Sequence, residues 1–438
     1  PQDAPSETNG SGLGNKAQKA VIAVAALFLM FVAGLVLGVN KYPPAGLVTT
    51  VRSTLGDLKV LFTSAVFKTP EQHLRPLRGD LGNVPPDQSR TAPGVTFVSG
   101  LFGQKLGFRL YGPEGNVIHE WPIDFFTVAP ELMEHRYHAL IHGEHLYENG
   151  DVVANLDGRA LIRFDRCGKI LWTSMNGSHH SVHIADDGTI WTPTDGTESP
   201  ANGIVPFGYR MDSVGVFDPN DGTLLRTFDL PAAFEKLDQP GLIQPDPRDA
   251  SDLIHLNDAE PLSAAMAPAF PRFAAGDLLV SSRNLDQLWV LDGKTQEIKW
   301  TFSGPMRGQH DPDFQQDGTI TVFDNRSAGE ASATNEQLGH LGGSRILAID
   351  PSTGTARVVF GATDSYPIYS PFRGKHQMLP NGNILITETD AGRVVEVTSA
   401  GDVVWSLVNG WDDTRVGWVM GATRYPDSYA AFTSASCE

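Results

Sequence analysis

The sequence predicts an all-β fold: six antiparallel units set in a ring, a six-bladed β-propeller, preceded by an N-terminal transmembrane helix and a juxtamembrane helix. Three observations lead there. The first is an internal repeat of roughly 40 to 60 residues, the period of propeller blades. The second is that each repeat ends in a bulky aromatic: Trp121, Trp172, Phe228, Trp300, Phe360 and Trp405. The third is that a histidine stands ahead of a Gly turn or strand in four of the units: His180, His255, His310 and His376. One residue type at one point of each repeat converges on a single spot if the repeats form a ring.

The elements follow in chain order. Residues 1–15 are polar and rich in Gly and Ser, the composition of a disordered tail. Residues 16–41 read as a signal anchor. The stretch Ala20–Val39 is apolar and uncharged, long enough to cross a bilayer core as a helix. Lys16 and Lys19 precede it and Lys41 follows. Pro1 is what trimming of an initiator Met leaves, which points to an anchor that is not cleaved. The expected orientation is N-terminus inside, with the large C-terminal domain periplasmic or otherwise extracytoplasmic. Over residues 42–93 a juxtamembrane helix and a linker are expected. Val48, Val51, Leu55, Leu58, Phe62 and Val66 recur at steps of three and four, an amphipathic stripe suited to a homodimer or a membrane-protein partner. Residues 68–93 read as the linker.

Residues 94–438 carry the repeat. Middle strands such as VGVFD, QLWVLD and RILAID are runs of Val, Ile, Leu and Phe bounded by DPNDG, DG or DPSTG. Such runs between turn residues are antiparallel strands joined by tight turns. Two β-sandwiches would be the other all-β solution, but the Trp-terminated strands recur too regularly. Long segments interrupt the repeat after Phe228 and after Arg326, where loops at a ring mouth shape a binding site.

Charge and cysteine content narrow the function. A formal net charge of −18 argues against nucleic acid as a partner. An anionic substrate would have to be held by local Arg and His. There are two cysteines, Cys167 and Cys437, and no CxxC pair, which excludes a Cys-based zinc site. They could form one disulfide or both be free.

The chemistry rests on His and Arg together. Arg283 ends a strand in the unit opened by His255-Leu256-Asn257, and Arg326 ends one in the unit opened by His310. A guanidinium grips tetrahedral oxyanions with a rigid fork of donors. Imidazole serves as nucleophile, acid or base near neutral pH. The pair suits sulfuryl or phosphoryl transfer. Converging imidazoles could instead hold iron or zinc, but two arginines would repel a divalent cation and no carboxylate shares the repeat position. His180 stands eight residues before Gly188, as His310 stands before Gly318, which favours it over His179 and His183 as the channel residue.

Over roughly residues 95–432 the chain resembles the bacterial arylsulfotransferases, which are six-bladed propellers. The resemblance lies in SHHSVHIADDGTIW, in HLN with LLVSSR downstream, in the Gln-His of GQH, and in ATRYPDSYAAF. It implies transfer of a sulfuryl group from an aryl sulfate to a phenol through a sulfohistidine, without the nucleotide donor PAPS and without a cofactor or metal. It implies His310 as nucleophile, with His255, Asn257, His180 and Arg283 binding the sulfuryl oxygens and protonating the leaving group. Arg326 and His376 match the repeat and are expected to line the channel as substrate-binding residues. Phe207, Tyr209, Tyr366 and Tyr369 are expected either to stack a phenol or to pack loops. A scaffold or accessory subunit of a membrane complex is the non-catalytic alternative, and a His-ligated metal enzyme the second.

Overall fold

A computed structural model describes residues 27–32, 69–79, 82–132, 136–202, 204–236, 250–327, 338–339, 341–361 and 366–437. The chain divides into two compact units, Pro1–Glu71 and Gln72–Glu438. In the first unit residues 27–32 are helical, and Leu27, Phe28, Leu29, Met30 and Phe31 are exposed. No helix among the described residues is long and apolar enough to cross a membrane. The rest of the expected anchor and the Val48–Val66 stripe lie outside the described residues.

The second unit is all-β. Six four-stranded antiparallel sheets and one three-stranded sheet account for its strands among the described residues. The first sheet takes its innermost strand, Val419–Tyr425, from the C-terminus and pairs it with Val95–Phe102. The other five take consecutive strands, and their innermost strands are Ile141–Leu146, His183–Ile184, Leu256–Pro261, His310–Phe314 and Lys375–Met378. These six innermost strands touch one another in cyclic order, the last meeting the first. The arrangement is propeller-like.

Its energetic basis is the repeat aromatic. Successive strand residues face opposite sides of a sheet, and a sheet with neighbours on both sides buries both. Hence Val152–Leu156, Leu278–Ser282 and Ile384–Glu388 are buried at every position. The outermost strands face solvent, as in Leu224–Phe228, where only Phe228 is buried. All the repeat-ending aromatics are buried, and each lies in a separate hydrophobic cluster between two neighbouring sheets. Burying one such side chain contributes roughly 1.5–3 kcal/mol. Trp121 shows the fit: it packs edge-on to Phe97, tilts against Phe432, and its indole N–H donates to the Gly150 carbonyl at 3.0 Å.

Part of the expected linker is folded. Leu74–Pro76 pairs with Arg415–Gly417 in the three-stranded sheet, and His73 is fully buried with its Nε2 on the Ala139 carbonyl at 3.0 Å. A backbone segment that finds strand partners and a cover for its apolar side chains does not stay a linker. After Phe228 the long loop begins with a helix, Leu230–Glu235, capped by Asp229, whose carboxylate accepts from the Ala232 N–H. Cys167 and Cys437 form a disulfide that ties the C-terminal tail to the second sheet.

Candidate functional site

The site forms where the innermost strands begin. His180 and His255 stand ahead of their strands with φ of 55° and 46°, in the left-handed region. Arg373 does the same ahead of Lys375–Met378, with φ of 58°. A non-glycine residue there costs on the order of 1 kcal/mol, and such strain persists only where the surroundings enforce it. This shared backbone turn aims three side chains at the centre of the ring. A small cavity results, lined by His142, His180, Asn257, His310, Asp311 and Arg373 among others. Its volume is about 20 Å³, room for about one water molecule. A larger cavity of about 490 Å³ lies elsewhere, lined by Trp191, Arg226, Ser263 and Lys294, and shares no residue with the histidines.

His310 is held at both nitrogens. Its Nδ1–H donates to Asn325 Oδ1 at 2.8 Å and to the Gly308 carbonyl at 3.0 Å. Asn325 is fixed in turn because its amide N–H groups donate to the Ser370 and Arg373 carbonyls. The Nε2 lone pair therefore faces the cavity, where the Arg373 backbone N–H meets it at 3.3 Å. Burial, and then the Arg283 guanidinium, hold this imidazole well below its ordinary pKa, so it is neutral.

The other imidazoles crowd it. His142 and His180 lie with ring centroids 4.0 Å apart, and His180 and His255 at 5.0 Å. Burial, then the charges of His142 and His179, keep His180 well below its usual range. Asn155, fully buried, accepts from the His142 and Gly143 N–H groups and donates to the His180 carbonyl, which locks the two strands together. His255 Nδ1–H donates to Asp252 Oδ2 at 2.5 Å, and His142 Nδ1–H to Asp157 Oδ1 at 3.1 Å. Burial works against the Asp157 carboxylate, but His142 outweighs it and brings its pKa down to about 2.

The structure thus brings His180, His255, His310 and Arg283 together and places Asn257 on the cavity wall. His179 stands behind His180, its Nδ1 2.7 Å from His180 Nδ1 and its Nε2 3.9 Å from Asp212, while His183 turns toward Asp258 at 2.8 Å. Asn257 differs from expectation in its chemistry. Its amide nitrogen donates to the Gln309 carbonyl at 2.6 Å, and Oδ1 is buried without a partner. An orphaned acceptor suits a hydroxyl rather than a sulfuryl oxygen.

Two expected site residues are elsewhere. The Arg326 guanidinium lies against the Gly342–Gly343 turn. His376 is sealed in a lower tier, with Nδ1–H on Asp311 at 3.1 Å and Nε2 at the Thr321 hydroxyl at 2.8 Å. His376 stands six residues before Gly382, not eight, so its side chain falls on a different level. Tyr209 and Tyr369 are core residues, and Tyr366 packs under Arg393, so these aromatics pack loops. Phe207 likewise packs on a hydrophobic cluster.

Sequence reasoning missed His142, Arg373 and the carboxylates. His142 was findable, since it too stands eight residues before a turn glycine, Gly150. Asp157 and Asp252 hold other positions in the repeat than the histidines, yet reach His142 and His255. His142, Asp157 and His180 offer ligand atoms within 4.8 Å of one another, as do Asp311, Asp313 and His376, so either group could hold a metal.

The lower tier is acidic. Asp258, Glu260, Asp311 and Asp313 share it with His183, His376 and Lys375. Burial pushes Glu260 up to about 8, against the pull of His183, while its Oε2 accepts from the Phe314 N–H at 2.8 Å. A carboxyl raised on folding keeps its proton in the folded chain where the unfolded chain has lost it, so stability falls as pH rises from about 4.5 to about 8. Glu260→Gln, which cannot ionise, is therefore expected to leave stability unchanged at pH 4 and to raise it by a few kcal/mol at pH 8. Urea unfolding at the two pH values measures this, and an equal effect at both would refute it.

The family model described as "Arylsulfotransferase (ASST)" matches residues 144–410. The chain belongs to the arylsulfotransferase family. A comparison with curated proteins gave no match. Among solved structures, the family member studied here is similar to a protein of unknown function from Bacteroides caccae, at 13% identity over 75% of this chain and 99% of that one, TM-score 0.45. It is also similar to the WD40 β-propeller domain of Doa1, at 13% identity over 76% and 84%, TM-score 0.40. A third likeness is to virginiamycin B lyase from Staphylococcus aureus, at 14% identity over 61% and 69%, TM-score 0.33.

Proposed function

We propose that this arylsulfotransferase is a six-bladed propeller that moves a sulfuryl group from an aryl sulfate to a phenol through a sulfohistidine at His310. The observation that carries the reading is the state of His310: neutral, with Nδ1–H fixed by Asn325 and the Nε2 lone pair turned to the cavity. Asparagine as the orienting group fixes the tautomer without adding a negative charge that would repel an anionic donor.

In the first half-reaction the Nε2 lone pair attacks sulfur and the S–O bond to the aryl group breaks. Its electron pair goes to the phenolate oxygen, which takes a proton from the His255 imidazolium. His255 suits this role because Asp252 orients it through Nδ1 and Nε2 has no hydrogen-bond partner among the described residues. In the second half-reaction neutral His255 takes the proton of the incoming phenol, whose hydroxyl also meets Asn257 Oδ1. The phenol oxygen attacks sulfur, and the S–N pair returns to His310. Arg283 neutralises charge on the equatorial oxygens, and His180, a neutral imidazole, offers them a ring N–H.

Membrane attachment through residues 20–39 and an extracytoplasmic location are part of the proposal. The disulfide supports it, since such bonds persist in oxidising compartments.

The test is a purified chain with 4-nitrophenyl sulfate, excess phenol and EDTA. The expected result is phenol-dependent release of nitrophenolate with ping-pong kinetics. Release that EDTA abolishes would move the reading to the metal group around His142 and Asp157. No release at all would sink it.

A further inference from the structure

Arg373 belongs to no motif that the sequence presented, and its circumstances are unusual. Its guanidinium lies over the Trp418 ring at 4.1 Å. Among the described residues it has no hydrogen bond and no carboxylate partner, and Nε is buried and orphaned. The carboxylates within electrostatic reach pair elsewhere, Asp390 through Oδ1 with Arg75 at 3.0 Å and Asp157 with His142 at 3.1 Å, while Asp390 Oδ2 is buried without a partner. A second guanidinium, Arg75, lies over the same Trp418 ring at 4.3 Å. The fold thus holds Arg373 on an aromatic face with no direct ion pair among the described residues, only the longer-range pull of Asp390 and Asp157. A buried cation without a direct partner is destabilising until an anion comes to it.

Its position says which anion. Arg373 lines the cavity, and its own backbone N–H touches His310 Nε2 at 3.3 Å. It occupies, ahead of its strand, the left-handed turn that His180 and His255 occupy ahead of theirs. Gly374 follows at φ of 91°, and a Cβ there would strike the Phe323 ring at 2.7 Å. Only a glycine lets the turn close and present the guanidinium. The Trp418 indole N–H beside it is also buried without a partner, a second waiting donor.

We propose that Arg373, carried on the Trp418 ring, is the clamp that binds the tetrahedral oxyanion of the sulfate donor beside His310. This rests on the transfer reading and adds a substrate-binding residue to it. The segment from His73 to Arg75 takes part, since it supplies the guanidinium and the edge-on imidazole that pack Trp418 from outside the repeat.

The experiment is calorimetric binding of inorganic sulfate to the full chain in detergent, with chloride at equal ionic strength as the blank. Wild type is expected to bind. Arg373→Met, which keeps an apolar stem on Trp418, should weaken binding by about tenfold or more. Arg373→Lys should weaken it less, by about threefold, because one ammonium cannot reproduce the fork. Arg357→Met, on an exposed outermost strand, should bind as wild type. If the methionine variant does not fold, the lysine variant decides. Wild-type affinity in every variant that folds, or no sulfate binding by the wild type, overturns the proposal. The two readings separate cleanly. Arg373-dependent sulfate binding in a protein that never releases nitrophenolate keeps this site and removes the transfer reading. Nitrophenolate release unaffected by Arg373→Met keeps transfer and removes the clamp.

Discussion

Replacing His310 by asparagine is expected to lower kcat for nitrophenolate release by on the order of 10⁴-fold or more, the scale on which a covalent nucleophile matters. The side chain of asparagine is polar and smaller, and its amide can still meet Asn325, so the ring should close around it. What it lacks is a lone pair at the Nε2 position, the atom that the Asn325 bond and the Arg373 N–H hold toward the cavity. Two measurements go together. One is turnover with excess phenol. The other is retention of label on the protein from a sulfur-labelled aryl sulfate without acceptor, expected for wild type and absent in the variant. Turnover that survives His310→Asn in a folded protein removes the sulfohistidine from the mechanism. Label that stays on the variant moves the nucleophile to another imidazole of the cluster, with His180 the neighbour to test.

The second large effect is on stability. Cys167 and Cys437 are separated by 270 positions, so their bond closes a very long loop of the unfolded chain. Cross-links of that span stabilise small proteins by about 2–5 kcal/mol. Here the bond also pins the turn that carries Tyr429 and Phe432, and Phe432 packs on Trp121 and His119. Cys437→Ser is expected to lower the unfolding free energy by about 2–5 kcal/mol. Reductant should do the same to wild type and nothing further to the variant. Urea midpoints with and without dithiothreitol measure it. Identical midpoints in all samples would mean that the tail is held by packing alone.

The sheets were legible from the chain because their determinant is local. A buried aromatic on or beside each outermost strand and glycine turns between strands recur whatever the tertiary context. The site was legible in part. His180 and His310 share an eight-residue spacing to the turn glycine that follows, Gly188 and Gly318, and that spacing sets the level at which a side chain falls. His376 does not share it; aligning it by residue type rather than by distance to its glycine put it on the wrong tier. Arg373 was invisible for the converse reason: it holds the position of a histidine without being one. Asp157 and Asp252 could not be read because a carboxylate's partner is set by which loops the ring brings together, not by neighbours in sequence. The part of the chain read as a linker shows the same limit, since its strand partners lie more than 300 residues away.

The first sheet borrows its innermost strand from the end of the chain. A nascent polypeptide that lacks Val419–Tyr425 has five complete sheets and an open edge along Val95–Phe102, an unpaired ladder of the kind that recruits other chains. Met420, which lines the cavity, is also missing until that moment. Closure must therefore be a late and long-range event, slow for the reason that all distant strand pairing is slow. It follows that no chain lacking Val419–Tyr425 can carry the finished cavity between the innermost strands. Until the ring closes, that open edge is what exposes the molecule to aggregation.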